Sequence, residues 1–366
     1  MASDSSAAAS RTESPIRDSR VTIHHVRRPQ VMRLAAALLV GLLFGAYEDI
    51  FRSRLGDVPS DFSQPWLAGK LMLEGRNPYQ AIGPHGAVPH QFHLIYPATA
   101  AVVAMPFGFV PQRTANALFV GCGAALLFWA LTARGFRNPQ LLVFTAFQFI
   151  VAAQNVQWSP LLTAATIYPL LGFVYACKPS IALAYWAAWP SARALVAAAA
   201  LTVVTVLLWP WWPKEWLAQL GTVTHMSAPV TRWGGPLLLL AALRWRRPEA
   251  RLLLGLSCIP QTPVVYEAVP LFLLVTTLRE GVGLMVVMML LGLVLPTIPT
   301  QSYDAWMAAS GAWMIWFVYL PGLVLVLRRP NVAPAGDPVD RAWSVIRDRL
   351  ARLTLPVLSP SATARQ

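Results

Sequence analysis

Charge is what this sequence lacks. Only 12% of its 366 residues are charged, against about 25% in an ordinary soluble domain. With 56% hydrophobic residues and a mean hydropathy of +0.51, a soluble globular protein is excluded. Cysteine is scarce, and Cys122, Cys177 and Cys258 sit in apolar runs at spacings that suit neither a disulfide framework nor a metal ligand set. Lysine is nearly absent, three against 26 arginines, a usage that reads as genome composition rather than as a binding site. The strict in-and-out alternation of a transmembrane barrel is missing. The arginines are not interleaved with an aromatic platform, so the pI of 10.4 does not indicate nucleic-acid binding. The first apolar stretch lacks a small-residue cleavage site, and an uncleaved first span is expected.

Long uncharged runs are what the sequence has. Thr114–Ala133, Gly281–Tyr303 and Ala305–Leu327 each approach or exceed the roughly 20 residues that cross a ~30 Å hydrocarbon layer. The expected fold class is an all-α polytopic membrane protein. Residues 1–33 hold six Arg and three acids, and residues 328–366 hold seven Arg and three acids, so the ends supply +7 of the net +13. Basic residues beside spans resist export, which puts both termini in the cytoplasm. The expected organisation is a disordered basic tail over 1–30, a transmembrane domain over 31–327 and a basic tail over 328–366. The first span runs from about Val31 to Tyr47 and exits at Glu48-Asp49, leaving 50–91 as a large extracytoplasmic loop, with 213–232 as a second outer loop. Ten further apolar segments follow, and two cytoplasmic ends require an even number of crossings, ten or twelve. The 31 prolines recur at segment edges, as in Pro97, Pro160, Pro179 and Pro260, and imply broken helices.

The stretch Ser60–Tyr79, SDFSQPWLAGKLMLEGRNPY, carries the chemistry. Trp66, Leu67 and Leu71 recur at helical spacing, Ser63 or Gln64 is a candidate cap, Pro65 suits a first turn and Gly75 an end. A short amphipathic helix on the outer membrane surface is expected, with Asp61 just before it. Asp61 is then either a general base or a solvated loop acid. Lys178, Arg232, Lys214 and the pair Arg52/Arg54 are the cations available to hold an anion, and Glu267 inside an apolar segment needs a cavity or a partner. His85, His90 and His93 lack clustered Cys or acid, so they read as loop residues and no metal site is expected.

In its order of motifs the chain resembles glycosyltransferase family 87. The resemblance rests on Asp61-Phe62, Leu73, Gly75, Asn77-Pro78-Tyr79, Tyr96-Pro97 and Pro106, followed by the Gln154-Asn155 break and Cys177-Lys178-Pro179. It covers about residues 31–190. It implies a GT-C type bundle of 10–12 spans with a large first extracytoplasmic loop, in a bacterial inner membrane with the active site on the outer face. It implies an inverting hexosyltransferase, mannosyltransferase-like, that takes a sugar from a polyprenyl-phosphate donor to a glycolipid or glycan acceptor of the envelope. No further cofactor is expected, and the partners are that lipid-linked donor, the acceptor and membrane lipids. The family's base maps onto Asp61; Tyr96, Gln154, Asn155, Lys178, Arg232, Tyr266 and Glu267 are the expected substrate-binding residues. In one late segment, CIPQTPVVYEAVPLFLL, the chain departs from the family, with Tyr266 and Glu267 where a histidine pair is usual. The competing readings are a transporter or flippase of lipid-linked intermediates, and a non-enzymatic scaffold of envelope biosynthesis.

Overall fold

An apolar chain interrupted by proline breaks into short helices, because in a bilayer each backbone N–H and C=O must be paired within the protein. The computed structural model describes residues 19–56, 58–222, 226–262, 265–299 and 302–354; within these, the side chains of 19–28, 265–266, 303–304 and 352–354 lie outside the description. In chain order the α-helices are α1 (Ser19–Leu55), α2 (Ser63–Leu73), α3 (Pro78–Ala81), α4 (Ala98–Ala104), α5 (Gln112–Leu131), α6 (Phe147–Gln154), α7 (Ser159–Ile167) and α8 (Pro179–Ala188). They continue as α9 (Ala192–Leu208), α10 (Trp212–Leu220), α11 (Pro248–Cys258), α12 (Leu278–Val294), α13 (Tyr303–Met314), α14 (Leu320–Leu327) and α15 (Pro338–Thr354). Apolar 3₁₀ stretches lie between them, notably Pro169–Cys177, Gly235–Arg244 and Val265–Leu274. Two-residue strands at Ile82–Gly83 and Val88–Pro89 make the only sheet among the described residues.

The protein is thus an all-α membrane protein. Four helical stretches among the described residues are long and apolar enough to cross a bilayer: Pro29–Leu55, Gln112–Arg134, Leu278–Thr297 and Ala305–Leu327. A fifth results if α9 and α10, bent by 108° at their junction, are taken as one broken span. Ten or twelve crossings would have to be completed by helices shorter than these.

Small residues set the first contact. Ala37, Gly41 and Gly45 lie on the buried face of α1, while Leu38, Leu39, Leu42 and Leu43 on the other side are exposed. A Cβ on Gly41 would sit 2.7 Å from the Gly121 carbonyl oxygen, and one on Gly45 2.9 Å from that of Ala117. The backbones of α1 and α5 therefore touch, the usual way helices associate where lipid supplies no hydrophobic drive.

Along α1, Arg33 and Arg52 mark two ends about 28 Å apart at 1.5 Å per residue. At one end Arg33 donates to the Trp129 carbonyl (3.0 Å), and Asn138 and Gln140 bond onward to Leu131 and to Leu273 and Val275. Arg329 there pairs with Glu280, Arg244 reaches the Arg329 and Leu327 carbonyls, and Arg251 those of Ala187 and Ala188. At the other end Arg52 donates to the carbonyls of Val58 (2.7 Å) and Gln154 (2.8 Å). The arginines gather at the Arg33 end.

Four expectations need correction. Helix α1 starts by Ser19, so residues 19–30 are helical and not a disordered tail, while its candidate span begins at Pro29, close to the expected Val31; residues 1–18 lie outside the description. It also runs past Glu48-Asp49 to Leu55, because Glu48 and Arg52 form a buried i,i+4 ion pair (2.9 Å) that lets both charges stay inside. Helix α2 does not lie on the surface: Ser63, Gln64, Trp66, Ala68, Gly69 and Leu71 are all buried. Trp66 Nε1 donates to the Phe107 carbonyl (2.9 Å), and Gly69 admits the Ala101 carbonyl, so α4 and the following turn cover it. Finally, the end of the chain is not a plain tail, since it forms α15, held by Arg251–Asp337 (2.7 Å) and Arg246–Asp340 (2.8 Å).

Candidate functional site

At the Arg52 end a cavity of about 610 Å³ opens. Its wall is assembled from chain breaks. The segment between α1 and α2 supplies Asp61, the segment before α4 supplies Tyr96, the break between α6 and α7 supplies Asn155, and that before α8 supplies Lys178. Glu267 comes from the 3₁₀ stretch Val265–Leu274. A residue preceding proline is pushed out of the helical region, which is why Tyr96 and Lys178, before Pro97 and Pro179, project from helix starts.

The break after α6 is the key element. Val156, fully buried, adopts φ +55°, the one non-glycine residue in the left-handed region among those described. A β-branched residue held there costs on the order of 1–3 kcal/mol. What the turn achieves is an aim: the Asn155 carbonyl accepts from the Asp61 N–H (3.2 Å), and the next side chain, Gln157, donates from Nε2 to Asp61 Oδ2. Gln157 Oε1 in turn accepts from Lys178 Nζ (3.3 Å), and Lys178 forms an ion pair with Glu267. Asp61, Gln157, Lys178 and Glu267 form one continuous polar chain. Gln157 and Glu267 are almost wholly buried, and Lys178 keeps 18% of its side chain exposed. Burial pushes the Tyr96 hydroxyl pKa up, and the nearby Asp61 and Glu267 carboxylates push it the same way.

The opposite wall is held by a second amide. Gln64 Nε2 donates to the carbonyls of His93 (2.8 Å) and Phe92 (3.2 Å) and its Oε1 accepts from the Ile95 N–H (3.3 Å), fixing the strip that carries His90. His90 Nδ1 lies within hydrogen-bond distance of both the N–H (3.1 Å) and the carbonyl (3.0 Å) of Phe92. Burial lowers the His90 pKa and favours the neutral ring, opposed by its hydrogen bond to the Phe92 backbone and by the Asp61 charge. The charged residues that line the cavity among those described are thus two carboxylates and one ammonium.

Trp216 and Leu220 of α10 close a third side. Helix α10 turns across the direction of α9 and begins in a cluster of Trp209, Trp211 and Trp212, with Trp216 Nε1 donating to the Ile95 carbonyl (2.9 Å). Amphipathic indoles collect at membrane–water boundaries, and this wall of the cavity is the one that carries them.

Of the expected site residues, Asp61, Tyr96, Asn155, Lys178 and Glu267 line this cavity. Gln154 does not: α6 turns its amide to Tyr47 Oη (2.7 Å), leaving only its carbonyl to hold Arg52. Arg232 does not either. It lies behind Gln261 and Thr262, donating to Ser227 Oγ (2.5 Å) and the Met307 carbonyl (3.2 Å), in a space that exists because residue 311 is glycine. Burial lowers the Arg232 pKa. The Tyr266 side chain lies outside the description. Gln157, Gln64 and His90 were not anticipated as site residues; their signal was weak, since a neutral amide carries no charge pattern. The Asn-Pro-Tyr motif is structural here: Asn77 caps α3, and Tyr79 Oη donates to the Tyr96 carbonyl (2.9 Å). Among the described residues no group of three or more His, Cys, Asp or Glu is placed to hold a metal.

Compared with protein-family models, curated proteins and solved structures, the chain matches none of them.

Proposed function

We propose that the protein is a membrane glycosyltransferase that moves a sugar from a polyprenyl-phosphate donor to a hydroxyl of an envelope glycolipid or glycan, with Asp61 as general base. The observation that carries the reading is the position of the Asp61 carboxylate on the wall of a cavity that Trp216 and Leu220 of α10 also line. Asp61 takes the proton of the acceptor hydroxyl as that oxygen bonds to the anomeric carbon; the bond from that carbon to the donor phosphate breaks, and the phosphate leaves with the electron pair. The configuration inverts. Such a base contributes about 10²- to 10⁴-fold. The Gln157 amide and the Asn155 carbonyl set its position, and Lys178 is the cation within reach of a leaving phosphate. The gathering of arginines at the Arg33 end favours that end as cytoplasmic and this cavity as external.

A flippase or transporter of lipid-linked intermediates is the second reading. What favours it is the engagement of Lys178 by Glu267, which leaves the cavity's ammonium already neutralised before any phosphate arrives. Purified protein in detergent, offered radiolabelled polyprenyl-phosphate sugars, separates the two. Product formation lost at least 100-fold in Asp61→Asn, with thermal stability retained, supports the transferase. Turnover unaffected by Asp61→Asn would remove Asp61 from the chemistry, and binding of a donor without turnover supports the second reading.

A further inference from the structure

The C-terminal helix has no part in the cavity, yet its sequence is built for a surface. In α15, Val339, Ala342, Trp343, Ile346 and Leu350 recur every three or four residues and share one arc. At 100° per residue, Arg347 and Arg349 flank that arc on opposite sides. The start of the helix is fixed by the Asp337–Arg251 and Asp340–Arg246 ion pairs and by an edge contact of Trp343 on Trp245 (5.3 Å). Further along, the protein leaves the arc uncovered: Trp343 is 41% and Ile346 48% exposed.

Two observations identify what covers it. The candidate span Ala305–Leu327 ends ten residues before α15, and the anchors are Arg246, in the turn before α11, and Arg251, near the start of α11, so the helix starts beside the end of a candidate span. Moreover this end stays net basic after the Arg246–Asp340, Arg247–Glu249, Arg251–Asp337 and Arg329–Glu280 ion pairs, with Arg328 and Arg341 exposed, which repels a second copy of the chain and attracts anionic headgroups. We propose that α15 lies in the headgroup plane of an anionic lipid leaflet, its apolar arc among the acyl chains and Arg347 and Arg349 on lipid phosphates. The inference is independent of the cavity's chemistry.

The full chain, with its three cysteines replaced, is spin-labelled at Ile346→Cys or Ser344→Cys in nanodiscs containing phosphatidylglycerol or phosphatidylcholine alone. The expected result is a label at 346 more accessible to oxygen than to a nickel chelate in the anionic discs, and the reverse at 344. Removing the charge in Arg347→Gln or Arg349→Gln should shift the docked population about fivefold each, the effect of ~1 kcal/mol per basic residue. The unmutated chain gives a second readout: trypsin cleavage after Arg347 and Arg349 should be at least tenfold slower in anionic discs. A label at 346 that is aqueous in both lipids, equally buried in both, or shielded from both reagents by protein overturns the proposal, as does equal trypsin cleavage.

Discussion

Lys178→Met should destabilise the protein far more than Glu267→Gln, and the apolar double variant Lys178→Met/Glu267→Leu less than Lys178→Met alone. Glu267 keeps 3% of its side chain exposed, and its Oε2 has no hydrogen-bond donor among the described residues. Removing the lysine therefore leaves a desolvated carboxylate with no counter-charge, a change that costs about 3–5 kcal/mol. Removing the glutamate charge is milder, about 1–3 kcal/mol, because Lys178 keeps Gln157 Oε1 and 18% exposure to the cavity. When both charges go together their desolvation cost goes with them, and the double variant should fall within about 2 kcal/mol of the parent. Thermal unfolding in detergent, at about 2 °C per kcal/mol for a chain of this length, turns these into a drop of roughly 6–10 °C for Lys178→Met and under about 4 °C for the double. The reasoning is refuted if Lys178→Met melts within a degree of the parent, or if the double falls by the sum of the two singles.

Two further outcomes are expected. In a cysteine-replaced background, Arg76→Cys should react with a membrane-impermeant maleimide in intact cells and Val332→Cys only after lysis; the opposite pattern inverts the proposed orientation. Because burial depresses the His90 pKa below its unfolded value near 6.5, the unfolded chain binds the extra proton first, so stability is full above about pH 6.5 and declines as pH falls toward the folded value; a midpoint-versus-pH curve that His90→Gln leaves unchanged over that window contradicts this.

Hydropathy made the long apolar helices legible because length and lack of charge are local properties, and Thr114–Ala133 and Ala305–Leu327 fall inside helical stretches long and apolar enough to cross a bilayer. Asp61, Lys178 and Glu267 could be singled out because an ionised group in an apolar chain needs a reason. Their convergence was not readable, since it depends on a left-handed Val156 that no residue preference announces. The role of Gln157 was hidden for the same reason. The 60–79 segment misled in a different way: its apolar spacing at Trp66, Leu67 and Leu71 fits a membrane-surface helix, but only the fold supplies the Phe107 carbonyl that draws Trp66 inside. The period of α15 was present at 339, 342, 343 and 346 and was masked by the tail's charge.

The guanidinium contacts to helix ends give the arginine usage another meaning. Arg244 bridges the Leu327 and Arg329 carbonyls where α14 stops, Arg251 bridges those of Ala187 and Ala188 where α8 stops, and Arg52 ties the Gln154 carbonyl at the end of α6 to that of Val58. A helix stopping at a bilayer edge exposes several carbonyls at once, and water is thin there. A planar fork with five donors can serve two of them together, while an ammonium is a single rotating point. A chain of many short helices has many such stops. Arginine is then its joinery, fastening the stub of one helix to the backbone of the next, and exchanging these positions for lysine would preserve the net charge while loosening the frame.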